Sequence, residues 1–258
     1  MTTKLLIALI LLPVLAYVGL CGLMYVKQRE LTYFPQFTRI ESARTDFELR
    51  RGDVVLRGWR INPGQRHAVI YFGGNAESIQ HMREHLVAWF PEHSHYLLAY
   101  RGYGASDGRP EEALLFADAL ALFDHVKNET GTEVVSVMGR SLGSGVASYL
   151  ASQRPVHRLA LITPFDSLAG VANHHYPWLP VDLLIRDRFD SMRHLADFRR
   201  PVLIVRAGRD QVIPADSTDR LVASLPVPPD VLMLPAADHD TALAEPAEWQ
   251  PVADFLRR

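Results

Sequence analysis

Cysteine is almost missing from this sequence. Its 258 residues hold one, Cys21, so no disulfide can close within the chain. That scarcity leaves the compartment open, because many proteins outside the cytosol manage without disulfides. A block of like charge is missing too. Lys and Arg total 27 against 29 Asp and Glu, a formal net charge of −2, and neither sign is clustered. A nucleic-acid partner therefore has no electrostatic footprint here. Repeats and low-complexity tracts are also lacking. With 48% hydrophobic and 22% charged residues, the chain is long enough for one sizeable core and too short for two ordinary catalytic domains.

Charge vanishes altogether from Leu5 to Val26, where 22 consecutive positions carry none. As a helix this run is about 33 Å long, enough to cross a hydrocarbon layer of roughly 30 Å. Tyr25 stands where an interfacial aromatic would, with Lys27 and Arg29 in the headgroup region beyond it. We read residues 1–27 as a retained single-pass membrane anchor and residues 28–258 as one folded domain. Three other readings compete. A cleaved signal peptide is disfavoured by the apolar length and by the lack of an A-x-A-like cleavage site. A buried core helix is the second. Lipid attachment at Cys21 is the third, and Leu20 stands where that processing prefers a small residue. The Lys and Arg count leans towards a cytoplasmic domain, but a large domain can cross regardless, so both sides stay open.

Beyond the anchor, residues 46–61 alternate apolar and polar around Arg51-Gly52-Asp53, as an antiparallel hairpin does. Strands are then expected at 68–72, 94–100, 133–138, 157–162, 201–207 and 231–235. Helices are expected at 76–90, 111–127, from Ser141, at 215–225 and at 247–257, with Leu114, Leu115, Ala119 and Leu122 facing the core from the second. Strands alternating with helices imply a mostly parallel sheet flanked by helices, an α/β class. Residues 164–198 are longer than an ordinary crossover. They read as a small cap or acyl-pocket wall over the carboxyl ends of the strands, or as surface helix packing.

Gly139-Arg140-Ser141-Leu142-Gly143 directly follows the strand EVVSVM. The G-x-S-x-G pattern between strand and helix is the setting that projects a serine hydroxyl from a sharp turn, and the two glycines keep side chains out of that turn. A helix N-cap is the blander reading of Ser141. Asp210 and His239 each follow a later strand, so the order Ser141, Asp210, His239 is that of an α/β-hydrolase triad. His239 would take the serine proton and Asp210 would orient the imidazole. Asp238 and Asp240 suit backbone contacts, and Asp216 suits a first-turn charge. Asp190 suits an N-cap, though a folded-over cap would bring it to the site. The oxyanion would be held by the backbone amides of Leu142 and Asn75, with Gly74 as the fallback. Arg101-Gly102-Tyr103-Gly104 forms a tight loop on the same rim, where Arg101 can pair with an acid and Tyr103 can cover the channel, or the loop is purely structural. Gly73, Gly74, Tyr103, Tyr176, Trp178 and Leu179 are the expected pocket residues. His174 and His175 lack the spacing of a metal set, so neither metal nor cofactor is called for.

Taken together, FGGNAE (72–77), RGYGAS (101–106), GRSLGSG (139–145), GRDQVIP (208–214) and DH (238–239) resemble the α/β-hydrolases of the Bem46 and ABHD13/ABHD17 kind, as does QRELTYFP (28–35) after the anchor. The resemblance spans essentially the whole chain. It implies an α/β-hydrolase fold, a triad of Ser141, Asp210 and His239, and oxyanion donors at Leu142 and Asn75. Residues 177–191 resemble the short insertion that group carries above its site. One position departs: Gly73 stands where the group usually has a histidine that supports the oxyanion loop. Its loss is expected to leave the triad intact while loosening the loop or widening the pocket. The resemblance implies hydrolysis of acyl esters or thioesters, with lipids or acylated proteins as substrates at a membrane. A serine peptidase or amidase, and an inactive binding protein, are the alternatives.

Overall fold

Two strands with apolar residues on both faces, β3 (His67–Phe72) and β5 (Val134–Arg140), lie side by side in the middle of an eight-stranded sheet. The structure is a computed structural model and describes residues 3–258. Around this centre stand β1 (Phe47–Arg51), β2 (Val54–Ile61), β4 (Ser94–Leu98), β6 (Leu159–Ile162), β7 (Val202–Ala207) and β8 (Asp230–Leu234), in the order β1-β2-β4-β3-β5-β6-β7-β8. The hairpin β1–β2 is antiparallel, and β2 runs antiparallel to β4. The remaining pairs are parallel. Their strands are buried runs, which suits a sheet covered on both faces. From β3 the chain moves outward to β4, then returns to place β5 on the other flank of β3. That reversal opens a crevice at the carboxyl ends of β3 and β5, the position where open α/β sheets bind ligands.

The flanking helices are α1 (Thr3–Thr32), α2 (Met82–Trp89), α3 (Glu112–Asn128), α4 (Leu142–Gln153), α5 (Leu168–His175), α6 (Val181–Leu184), α7 (Ser191–Leu195), α8 (Ala215–Ser224) and α9 (Pro246–Arg257). Helix α4 packs against β5, α3 and α7, whereas α2 packs with α9. The stripe that α3 buries is Leu115, Phe116, Ala119, Leu122, Phe123 and Val126. Leu114, expected in the core, is instead exposed.

Two further expectations need correction. The helix expected over 76–90 begins only at Met82, after a 3-10 turn at Ile79–His81. The cause is tertiary. The Glu77 carboxylate accepts hydrogen bonds from the Gly74 amide at 2.6 Å and from the Tyr71 hydroxyl at 2.7 Å, and Ala76 adopts φ +59°. These contacts hold 74–77 out of helical geometry. The insertion 164–198 is not one continuous cover either. Phe189 and Leu195 are fully buried, and Phe189 packs on Gly145 of α4 and on Phe116, so α7 belongs to the body of the domain.

His95 on β4 gives the fold a pH dependence. Its Nε2 stands 2.9 Å from the Phe90 carbonyl, which it serves as donor, while Nδ1 is buried without a partner. Burial, partly opposed by that hydrogen bond, lowers the pKa from 6.5 to about 4. Between those values the unfolded imidazole binds a proton that the folded one refuses, so stability falls as pH drops through the window. The loss is roughly 3 kcal/mol at most. Urea midpoints measured from pH 7 to 4.5 should decline, and the decline should be smaller in His95→Gln; an equal decline in the variant would assign the effect to other groups.

Candidate active site

Ser141 sits between the last residue of β5 and the first of α4 with φ +49° and ψ −118°. That backbone conformation is costly for a residue with a side chain, typically about 1–3 kcal/mol, and persists only where the surroundings fix it. They do so by close approach. A Cβ on Gly143 would stand 2.1 Å from the Phe72 carbonyl oxygen, and one on Gly139 would stand 2.3 Å from the Gly143 carbonyl oxygen. With hydrogen at both positions, the β5–α4 turn presses against the end of β3. The Ser141 amide donates to the Ile162 carbonyl of β6 at 2.9 Å.

His239 and Asp210 reach this serine from the two strands beyond β6. His239 Nδ1 lies 2.8 Å from Asp210 Oδ2, and Nε2 lies 2.9 Å from Ser141 Oγ. An ionised carboxylate only accepts, so the imidazole proton belongs on Nδ1 and Nε2 is left to accept the serine hydroxyl. The other oxygen of Asp210 accepts from the amides of Val212 at 2.9 Å and Ile213 at 2.8 Å. The Arg209 amide donates to Ala237, tying the loop after β7 to the loop after β8. Asp238 folds the histidine loop by accepting from the amides of Asp240 and Thr241. Asp216 pairs with Arg220, and Asp190 caps α7 through the Arg193 amide, so these two carboxylates, like Asp238, are engaged elsewhere.

Arg140 has a part that the motif did not reveal. Its Nη2 donates to the carbonyl oxygens of His239 at 3.1 Å and Asp240 at 2.7 Å. One residue of the serine turn thus clamps the backbone of the histidine. The contact spans 99 residues of sequence, and nothing local signals it.

The glycine-rich loop after β3 flanks the serine, with a Cβ built on Gly74 standing 3.5 Å from Ser141 Cβ. The Gly74 amide is spent on Glu77, whereas the Asn75 amide donates to no backbone carbonyl or side chain among the described residues. The Leu142 amide heads α4, where helical geometry offers no acceptor behind it. Gly73 is not an open space. A Cβ there would meet Ile79 Cγ2 at 2.3 Å, and the Gly73 carbonyl accepts from Tyr100 Oη at 2.9 Å. Burial raises the pKa of Tyr100 and of Tyr71 well above the usual phenol range, which keeps both as neutral donors to this loop and to Glu77.

The side chain of Asn75 has a role that the motif did not suggest. Its Nδ2 donates to the carbonyl of Thr32, the last residue of α1, and its Oδ1 accepts from the Phe34 amide at 3.1 Å and the Tyr103 hydroxyl at 2.6 Å. Tyr103, expected to cover the channel, is therefore buried and committed to Asn75. Arg101 pairs as expected, gripping Asp118 through two hydrogen bonds of 2.7 and 2.9 Å.

Of the expected pocket residues, Gly73, Gly74 and Tyr103 share a small cleft with Trp59 and Tyr100, and Ser141 is not in its lining. Tyr176 and Trp178 are about half exposed, and Leu179 is buried. Next to them, His175 Nε2 lies 2.9 Å from the Val212 carbonyl, on the loop that follows Asp210. The Trp178 carbonyl accepts from Tyr17 Oη at 2.8 Å, so this turn leans on α1. The cleft that borders the site through Arg140 and Asp240 is formed by Met82, His85, Leu243 and Trp249. Among the described residues no group of three His, Cys, Asp or Glu side chains is placed to hold a metal ion.

A family profile described as "Alpha/beta hydrolase domain" matches residues 79–249. The chain belongs to the α/β-hydrolases. A Mycobacterium tuberculosis protein named only as uncharacterised is 35% identical over 96% of this chain and 94% of its own length. The lysophosphatidylserine lipase ABHD12 of Danio rerio is 32% identical over 45% of this chain and 35% of that protein. Among solved structures, a Pyrococcus furiosus esterase matches with TM-score 0.68 and 19% identity, covering 83% of this chain and 91% of that one; the likeness shows the fold. Membership of the α/β-hydrolases supports ester-hydrolysing activity in general.

In this α/β-hydrolase, the Asn75 side chain is the testable support of the loop. Asn75→Ala removes the partner of the Thr32 carbonyl and one of the two acceptors of the Phe34 amide, the other being Tyr103 Oη at 3.1 Å, a cost of about 1 kcal/mol for part-buried groups. Amide hydrogen exchange should speed up at residues 32–36 and 73–77 and stay unchanged in α9. Unaltered protection across both 32–36 and 73–77 would show that the side chain does not hold the segment.

Proposed function

We propose that the protein is a serine hydrolase that cleaves carboxylic esters or thioesters through an acyl-enzyme, acting at a membrane on lipids or acylated proteins. The observation that carries this reading is the single imidazole of His239 placed between Ser141 and Asp210, at 2.9 and 2.8 Å. Ser141 Oγ attacks the acyl carbonyl as its proton passes to His239 Nε2. The new charge on the imidazole faces Asp210, and the new charge on oxygen faces the amides of Asn75 and Leu142. Collapse expels the alcohol or thiol, which takes the proton from His239. Water then repeats the sequence on the acyl-serine and releases the acid.

Substrate class is inferred from the surroundings. The cleft beside Arg140 and Asp240 is lined by Met82, Leu243 and Trp249 together with Glu77, His81 and His85, and its apolar side suits an acyl chain. The relative from Danio rerio is named a lysophosphatidylserine lipase, which supports a lipid ester as the substrate class. Helix α1 is long and apolar enough to cross a bilayer, and its side chains at Leu11, Leu12, Val14, Leu15 and Val18 face outward. We assign it as a single-pass anchor, residues 28–258 as the catalytic domain, and the kinship as the Bem46 and ABHD13/ABHD17 kind, on the blocks quoted above.

Hydrolysis of p-nitrophenyl esters from C2 to C16 by detergent-solubilised protein tests the assignment. Ser141→Ala and His239→Gln should each lower kcat by at least about 10³-fold, and Asp210→Asn by somewhat less, with little change in KM. A maximum at long chains supports lipid or acyl-protein substrates, and a maximum at short chains points to a small-pocket esterase. Equal turnover by wild type and Ser141→Ala, or none by folded wild type, would refute the ester-hydrolase reading.

A further inference from the structure

The stretch from Tyr176 to Asp187 runs beside α1. The Tyr17 hydroxyl donates to the Trp178 carbonyl at 2.8 Å. Further along, Gln28 Nε2 donates to the Leu184 carbonyl at 3.0 Å, and the Arg186 amide donates to Gln28 Oε1 at 2.7 Å. The Arg186 guanidinium lies 5.6 Å from the centre of the Tyr25 ring. Asp187 accepts from Tyr33 Oη at 2.9 Å and pairs with Arg29 at 3.3 Å. The two segments therefore lie alongside each other from Tyr17 to Tyr33.

This pairing constrains any bilayer that α1 crosses. The apolar run starts after Lys4 and ends at Val26, and Tyr17 lies nine residues, about 13 Å, inside its domain-side end. The part of the run ahead of Tyr17, Leu5 to Ala16, is about 18 Å long, too short for a hydrocarbon layer of roughly 30 Å. Spanning therefore requires helix on the domain side of Tyr17, and the Trp178 turn is carried along with it.

The surface of that turn suits this position. Tyr176 is 46% exposed, Trp178 52% and Leu183 84%. The rings of Tyr176 and Trp178 meet edge to face at 6.3 Å. Leu179 and Val181 are buried, and α6 packs against α5 and α1. Trp and Tyr favour the membrane–water boundary, where one end of the side chain is apolar and the other wet. The one carboxylate within the turn, Asp182, is neutralised by Arg188 at 2.9 Å. Lys27, and Arg186 beside the Tyr25 ring, follow beyond the end of the apolar run, a place that suits cations facing lipid phosphates.

We propose that residues Tyr176–Leu184 are a second membrane-contacting element, an interfacial wedge that enters the headgroup and upper acyl region of the leaflet nearest the domain. The wedge rests on the reading of α1 as a membrane anchor. It fixes the catalytic domain against the lipid surface by two elements instead of hanging it from one, and it sets which side of the domain faces the lipid.

Because Cys21 is the sole cysteine, single nitroxide labels can be placed in a Cys21→Ser background. Leu12→Cys reports on α1, Leu183→Cys on the wedge and Val87→Cys on α2; these positions are 73%, 84% and 42% exposed, so the labels disturb no packing. The full chain is reconstituted into vesicles of phosphatidylcholine and phosphatidylglycerol, and collision rates with oxygen and with a water-soluble nickel chelate are measured. The wedge requires the oxygen-to-nickel ratio at Leu183 to exceed that at Val87 several-fold, with Leu12 higher still. A lipid-like Leu12 with a water-like Leu183 overturns the wedge and leaves the anchor standing. A water-like Leu12 overturns the anchor, and the wedge with it.

Discussion

The end of β3 and the turn after β5 approach so closely that only hydrogen fits between them, and the candidate site depends on that approach. A methyl group on Gly143 would stand 2.1 Å from the Phe72 carbonyl oxygen. Given the contact, the Ser141 backbone is held at φ +49°, its hydroxyl is turned out of the sheet, and the loop 73–75 is brought beside it. Arg140, one residue earlier, then reaches the carbonyl of His239. The sheet supplies direction, but this close packing of backbone on backbone supplies the position.

What could be read in the sequence follows from the range of the forces involved. Strands β3, β5, β6 and β7 were legible because burial on both faces leaves an apolar run. The hairpin β1–β2 was legible because one wet face leaves an alternation. The order of Ser141, Asp210 and His239 was legible because each follows a strand that must end at the same edge. The start of α2 was not, since it is set by Glu77 binding the Gly74 amide and the Tyr71 hydroxyl, a choice that local helix preference at 76–90 opposes. Leu114 was misplaced because helical spacing defines a stripe without fixing its centre. The roles of Arg140, the Asn75 side chain and Tyr103 rest on contacts between distant parts of the chain, which leave no periodic trace. Trp178 and Tyr176 were legible as apolar and unusual, but the bond from Tyr17 of α1 to the Trp178 carbonyl was not.

Gly73 shows how a departure from a familiar pattern is absorbed. A missing side chain in the loop after β3 suggests slack, yet the space is occupied by Ile79, whose Cγ2 would lie 2.3 Å from a Cβ at that position. Tyr100 secures the Gly73 carbonyl and Glu77 secures the Gly74 amide. Support that a histidine ring would give from one side comes here from a phenol, a carboxylate and an isoleucine methyl. Restoring a histidine would therefore require Ile79 to shrink or move.

The bonds from Asn75 to Thr32 and Phe34 also determine where the chain can be shortened. The apolar part of α1 and the part that braces the loop are adjacent in sequence but distinct in role. A version beginning at Lys27 discards the greasy stretch and keeps the segment that Asn75 grips, together with Arg29 and Tyr33 on Asp187. One beginning after Pro35 looks like a cleaner domain boundary, yet it strips the loop beside Ser141 of its brace. For a soluble form of this hydrolase, the usable cut falls between those two points, ahead of the residues that Asn75 holds.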